Sequence, residues 1–331
     1  MRRVFLVFLL ILAIAKSSGF FVQDSEWDNY KAKFGKTYRD LFEETFSRLC
    51  YGFNKFEIQN HNDRYKRGIE SYRVEVNQFS DLKFVNFVGM FPPTTDIQSN
   101  AVPFTVLNTP PQSSFSYTAQ GFTSPVQNQG IVCNGGWAYA TATTIQIFYA
   151  SISGNLNSEL LSAQNLIDCA GEATSCSKQV PQTAFDYLTK MNQKLYPESE
   201  YRNNPTRTQG MCVLPVASTA GKTLRSYSSI EDGNDDMLKS AVNFFAPVVI
   251  KINPANFGFM HYKEGLYTQP RPTRNAALYV TVVGYGIDEK TKKNYWLVQN
   301  SFGSTWGEAG MMRIEMNSAK PIARSGVFPS E

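Results

Sequence analysis

Side chains able to attack a carbonyl or carry its proton are few in this chain of 331 residues. There are two histidines, His61 and His261, and five cysteines, Cys50, Cys133, Cys169, Cys176 and Cys212. Thiol-dependent acyl transfer needs a thiolate at a helix N-terminus or beside an imidazolium, which depress its pKa, and a histidine to shuttle the proton. The N-terminus decides which use of the thiols to consider first. Arg2 and Arg3 precede an apolar run over residues 4–15, followed by Ser17, Ser18 and Gly19. That is the layout of a secretory signal peptide, expected over 1–19. The run falls short of the roughly 20 residues a helix needs to cross a bilayer, so no membrane anchor is expected. An exported chain, extracellular or lysosomal, pairs its cysteines, and an odd number leaves one over.

The elements that must position any site come next. Residues 24–91 are polar and helix-patterned, and a proline-containing stretch over 92–113, opening Pro92-Pro93, reads as a linker. Helical periodicity predicts helices over 137–153, closed by Gly154, then over 158–169 and 181–191. Short apolar or β-branched runs at 248–250, 278–283 and 295–298, bounded by Gly, Pro and Asn, predict strands. A helical half followed by a strand-rich half is an α+β layout, and a cleft between two such halves is a natural place for chemistry. The net charge of +4 is spread along the chain, so no nucleic-acid footprint is expected.

Four blocks, in order, make the chain similar to the papain-like (cathepsin L-like) cysteine peptidase family. They are residues 124–130 continuing to Cys133 and Trp137-Ala138-Tyr139, residues 161–169, residues 280–286, and residues 295–303 running on through Trp306-Gly307-Glu308 to Gly310 and Arg313-Ile314. Upstream, Glu43, Tyr51, Asn54, Ile58 and Asn62 resemble the helical signature of the family's inhibitory propeptide, with Ser47 where arginine is usual. Asn77, Phe79 and Asp81 resemble its second motif, with Glu75 in place of glycine. The spacings put the first set on one stripe of a helix. The resemblance implies a papain-like two-subdomain fold over 114–331, with a helical half at about 125–220 and a β-barrel-like half at about 221–331. It also implies a propeptide over 24–91 whose following chain runs through the cleft. Pairings of Cys133 with Cys176 and of Cys169 with Cys212 follow from it, leaving Cys50 over. The family's third bridge is missing on both sides, Lys320 standing where one partner would be.

The resemblance also assigns four site positions. Gln129 stands where a side-chain amide donates to the oxyanion, and Asn300 where an asparagine orients the imidazole. The nucleophile position, immediately before Trp137, is Gly136, and the base position, two residues before Val280, is Leu278. Neither histidine falls in that register, and Cys133, four residues before Trp137, sits in the register of a disulfide cysteine. One extra residue lies between Gln129 and Trp137, so Gln129 has a second reading as a loop-surface amide. Asn300 has one as a purely structural group, covered by Phe302 where the family has an indole.

These positions predict a proteolytically inactive family homologue, free of metal and cofactor, whose partners are its own propeptide in the cleft and peptide or protein ligands. Two alternatives stay open. One is an active cysteine-type endopeptidase using a nucleophile not recognised here; the other is a secreted structural or interaction protein that does not use the cleft.

Overall fold

The computed structural model describes residues 22–95, 101–170, 179–203, 210–215, 218–269, 274–317 and 319–330. The expected signal peptide, part of the linker and Cys176 lie outside them. The chain divides into two compact units.

The first unit comprises the chain up to Phe87 together with residues 257–265. Helix Asp24–Phe34 places Trp27 and Tyr30 on one face, where they meet Tyr51 of the 26-residue helix Leu41–Lys66. Trp27 stacks on Tyr30 and Tyr38, with centroids 5.4 and 5.7 Å apart, and the Tyr30 and Tyr51 rings lie 4.6 Å apart. The long helix starts on a reciprocal cap: Asp40 accepts from the Glu43 backbone N–H at 2.9 Å, and the Glu43 carboxylate accepts from the Arg39 N–H at 2.7 Å. Of the expected stripe, Tyr51, Asn54 and Ile58 are buried, while Glu43, used in the cap, stays exposed.

Amides tie the long helix to the chain that follows it. Asn54 donates to the carbonyls of Ser80 and Leu82 at 2.8 and 2.9 Å. Asn62 donates to Val74 O and accepts from Val74 N, and Asn77 donates to Met260 O at 2.8 Å. Buried Asp81 accepts from the Tyr30 and Tyr38 hydroxyls and from Lys36. Strand β1 (Tyr72–Val74) pairs antiparallel with residues 262–265. Gly265 makes this possible, since its φ is +99° and an added Cβ would lie 2.8 Å from Tyr72 Cα. His261 is buried on this segment, its ring 4.4 Å from that of Phe257, with both ring nitrogens lacking a hydrogen bond.

The second unit comprises residues 88–256 and 266–331. Its sheet contains β2 (Val102–Pro103), β3 (Phe115–Ser116), β4 (Ser226–Ser229), β5 (Val248–Ile252), the end of β6 (Tyr262–Tyr267), β7 (Leu278–Ile287), β8 (Asn294–Gln299), β9 (Met311–Glu315) and β10 (Val327–Ser330). The order is β6-β9-β8-β7-β5-β10-β4-β2, with β3 pairing on β7. Strand β7 is buried along nearly its whole length, which is why its sequence is a continuous apolar run rather than an alternating one. Helix Gly136–Ser153 lies against it: the Thr281 hydroxyl donates to Ala140 O at 3.0 Å and lies 3.2 Å from that of Thr144. The helix ends, as expected, at Gly154 in the left-handed region.

Two sequence expectations are corrected here. The helix expected over 158–169 is only Ala163–Cys169, because Ser162 caps it by accepting from the Asn165 N–H, and Leu161 just before it bridges Pro197. The one expected over 181–191 stops at Thr189. The strand-rich half also holds a helix, Asp235–Phe244, that the sequence reading did not name.

Candidate active site

The first turn of helix Gly136–Ser153 is glycine on glycine: Gly135 caps it and Gly136 begins it. The helix dipole leaves partial positive charge there, the local field that would favour an anion. Gly136 supplies no side chain to use it. A Cβ built on Gly136 would lie 2.9 Å from Leu278 Cδ1, 3.3 Å from Gln129 Oε1 and 3.4 Å from the carbonyl oxygen of Tyr279. Leu278, fully buried at the start of β7, therefore presses a methyl group against the bare backbone. None of these three nearest neighbours, a methyl group, an amide oxygen and a backbone carbonyl, is a group that titrates.

Gln129 reaches this place despite the extra residue in its loop. The insertion is taken up at the surface, where Ile131 and Val132 are about half exposed, while Gln129 is 2% exposed. That sets aside its reading as a loop-surface amide. Its backbone N–H donates to Ser301 O at 2.8 Å, and its Oε1 accepts from the Ser301 hydroxyl at 2.6 Å. The Ser301 N–H donates to Asn300 Oδ1 at 2.8 Å. Ser301 thus holds the oxygen ends of both amides, leaving Gln129 Nε2 and Asn300 Nδ2 buried without hydrogen-bond partners. Buried amide donors of this kind cost free energy unless something accepts from them. Sequence reasoning assigned Ser301 no role. Nothing local signals one, since the contact joins residues 172 positions apart.

Phe302 is fully buried between Trp306, with centroids 5.5 Å apart, and Phe91, at 5.8 Å. Phe91 belongs to the chain that enters this unit. The Ala277 N–H donates to Phe91 O at 3.3 Å, and the Thr94 hydroxyl lies 2.8 Å from that of Tyr279. Residues 91–94 therefore run beside the strand that carries Leu278.

The thiols lie elsewhere. Cys169 and Cys212 form the expected disulfide, with Cα atoms 4.9 Å apart. Cys133 is disulfide-bonded, which removes it as an alternative nucleophile; Cys176, the partner expected for it, lies outside the described residues. Cys50 is the free cysteine among the described residues, and burial pushes its thiol up to about 11, the opposite of activation. The imidazole of His261 is driven down to about 3 by burial, and that of His61 is lowered for the same reason. No cluster of metal-ligating side chains occurs among the described residues.

Comparison with known proteins bears on both units. Residues 111–329 match the description "Papain family cysteine protease", and residues 27–87 match "Cathepsin propeptide inhibitor domain (I29)". Cathepsin L1 of Drosophila melanogaster is 29% identical over 98% of this chain and 90% of its own length. A cathepsin L-like peptidase of Aedes aegypti is 31% identical over 88% of each. Among solved structures, digestive procathepsin L 3 from Tenebrio molitor larval midgut superposes with a TM-score of 0.82 at 28% identity, over 93% of this chain and 98% of its own. The mixed α+β architecture is thus a papain-like fold preceded by a propeptide domain, and the chain belongs to the papain family of cysteine proteases as a cathepsin L-like homologue.

Proposed function

We propose that this chain is a non-catalytic papain-family homologue that holds a peptide segment without cutting it. The observation that carries the reading is Gly136 at the nucleophile position with the Leu278 methyl occupying the space its side chain would need. Covalent catalysis requires an atom that can attack, and glycine has none. In a comparable triad enzyme, loss of the nucleophile costs on the order of 10⁶ in kcat, and loss of the base adds little, because the groups act as a unit. On this reading Gln129 and Asn300 are the oxyanion and orienting positions kept after the chemistry has gone. Their free donors support a site able to accept a backbone carbonyl.

The chain's own residues 91–94, bonded through Phe91 O to the Ala277 N–H and through the Thr94 hydroxyl to that of Tyr279, run along β7 and leave those two donors free. Without a nucleophile the protein cannot remove its propeptide by itself, so processing depends on another protease. The signal-peptide pattern and the disulfide support export, to the extracellular space or a lysosome. The test is incubation of purified protein with a diverse peptide library, followed by mass spectrometry of both the bound and the unbound pools. Retention of specific sequences with no cleavage products is expected. New termini that vanish on treatment with a thiol-directed epoxide would overturn the proposal.

A further inference from the structure

A third buried amide, Asn134, stands beside the same place with no role yet assigned. It lies two residues before Gly136, is 6% exposed, and donates from Nδ2 to the Ala277 carbonyl oxygen at 3.2 Å. Ala277 precedes Leu278, whose methyl group abuts the Gly136 backbone, so Asn134 spans from the loop before the helix to the start of β7. The bond to Ala277 fixes which end of the carboxamide is which. It leaves Oδ1 buried without a hydrogen-bond partner among the described residues.

The unpaired atoms joined to the Gly136 position by these contacts are two N–H donors, Gln129 Nε2 and Asn300 Nδ2, and one acceptor, Asn134 Oδ1. A peptide backbone carries the matching groups, a carbonyl oxygen with two lone pairs and an N–H. Ala277 itself is already engaged on both sides, its N–H by Phe91 O and its carbonyl by Asn134, so the free acceptor here is a side chain. The chain's own segment does not use it. Residues 91–94 read Phe-Pro-Pro-Thr, and Pro92 and Pro93 have no N–H to give. Resting on the reading that this site holds a peptide segment, we propose that Asn134 is a specificity-determining residue: its Oδ1 accepts a backbone N–H of the segment while Gln129 and Asn300 donate to a carbonyl. An incoming chain must displace the Leu278 methyl whatever its chemistry, so discrimination comes from the N–H. An ester, a ketone or a proline at that point leaves a buried acceptor unpaired and is penalised.

The probe is the peptide most strongly retained from the library, with a series of analogues in which each backbone amide in turn is replaced by an ester; affinities are measured by isothermal titration calorimetry. In the wild-type chain one ester position is expected to weaken binding about tenfold or more. In Asn134→Leu, and in Asn134→Ala as a second variant, the parent peptide weakens and the same ester costs less than about twofold, the non-additivity expected of two groups in contact. The ester analogue should bind both variants as it binds wild type, which also shows that they are folded. A series without a sensitive position overturns this inference alone, since the peptide is still held. So does an ester penalty that persists in both variants, or loss of the ester analogue by both. Failure of the wild-type chain to retain any peptide overturns the reading beneath it, and this inference with it.

Discussion

Two sets of amide side chains in this protein contrast sharply. In the first unit Asn54 and Asn62 reach backbone carbonyls at 2.8 to 2.9 Å and tie the long helix to the chain that returns past it, while Asn77 reaches Met260 O at 2.8 Å. In the second unit Gln129 and Asn300 are as deeply buried, yet only their oxygen ends are bonded, both through Ser301. None of the first set leaves a buried side-chain atom without a partner. On the proposed reading, Gln129 and Asn300 keep the positions of a site and lack the ligand that would complete them. The neighbouring Gly136 and Leu278 fit the same reading, one position bare of a side chain and the other filled by packing.

The largest effect is expected where packing replaced chemistry. Leu278→Ala removes a fully buried side chain next to a residue with no Cβ, so the cavity cannot close, and a loss of about 3 to 5 kcal/mol by denaturant unfolding is expected. Gly136→Cys beside an intact Leu278 overpacks the site, at a cost of about 1 to 3 kcal/mol. Combined with Leu278→Ala it fills the cavity, so the pair costs at least about 1 kcal/mol less than the sum. Additive costs would mean that the two residues do not share one space.

Next is the fully bonded set. Asp81→Ala strands Lys36 and two tyrosine hydroxyls in a mostly buried place, and should cost about 3 kcal/mol or more in the same measurement. A cost below about 1 kcal/mol would remove the contrast between the regions.

Acid separates them further. The His261 imidazole has a folded value of about 3, below the unfolded 6.5, so its contribution is fully present above pH 6.5 and is lost as pH falls toward 3. Between pH 7 and 4.5 its share of the loss is about 2 to 3 kcal/mol, read as the difference between wild type and His261→Phe, and it should be carried by the unit containing residues 257–265. The smallest effect belongs to the half-bonded amide. Gln129→Met trades one acceptor for the removal of an orphaned donor, and stability should change by less than about 1 kcal/mol.

Much of this was legible in the sequence because it is local or ordered. The helical stripe from Glu43 to Asn62 follows from its spacing, and the strand from Leu278 to Val283 from an apolar and β-branched run, whereas the Asp40 cap was not read. Gly136 and Leu278 were readable as positions, since each sits at a fixed offset from Trp137 or Val280. That Leu278 touches Gly136 was not, because contacts across about 140 residues leave no local trace. Ser301 was missed for the same reason. The short helix Ala163–Cys169 was overcalled because Ser158 and Ser162 are both acceptable caps, and only the bridge between Leu161 and Pro197 selects the second.

The central claim is that no activated thiol stands at the head of helix Gly136–Ser153. Native protein treated with a thiol-directed epoxide, with intact mass measured before and after, tests it most directly. The account predicts no mass increase, since Cys50 is buried with a raised thiol, Cys133, Cys169 and Cys212 are disulfide-bonded, and Cys176 is the partner expected for Cys133. A rapid, stoichiometric single adduct, accompanied by loss of peptide cleavage, would contradict it.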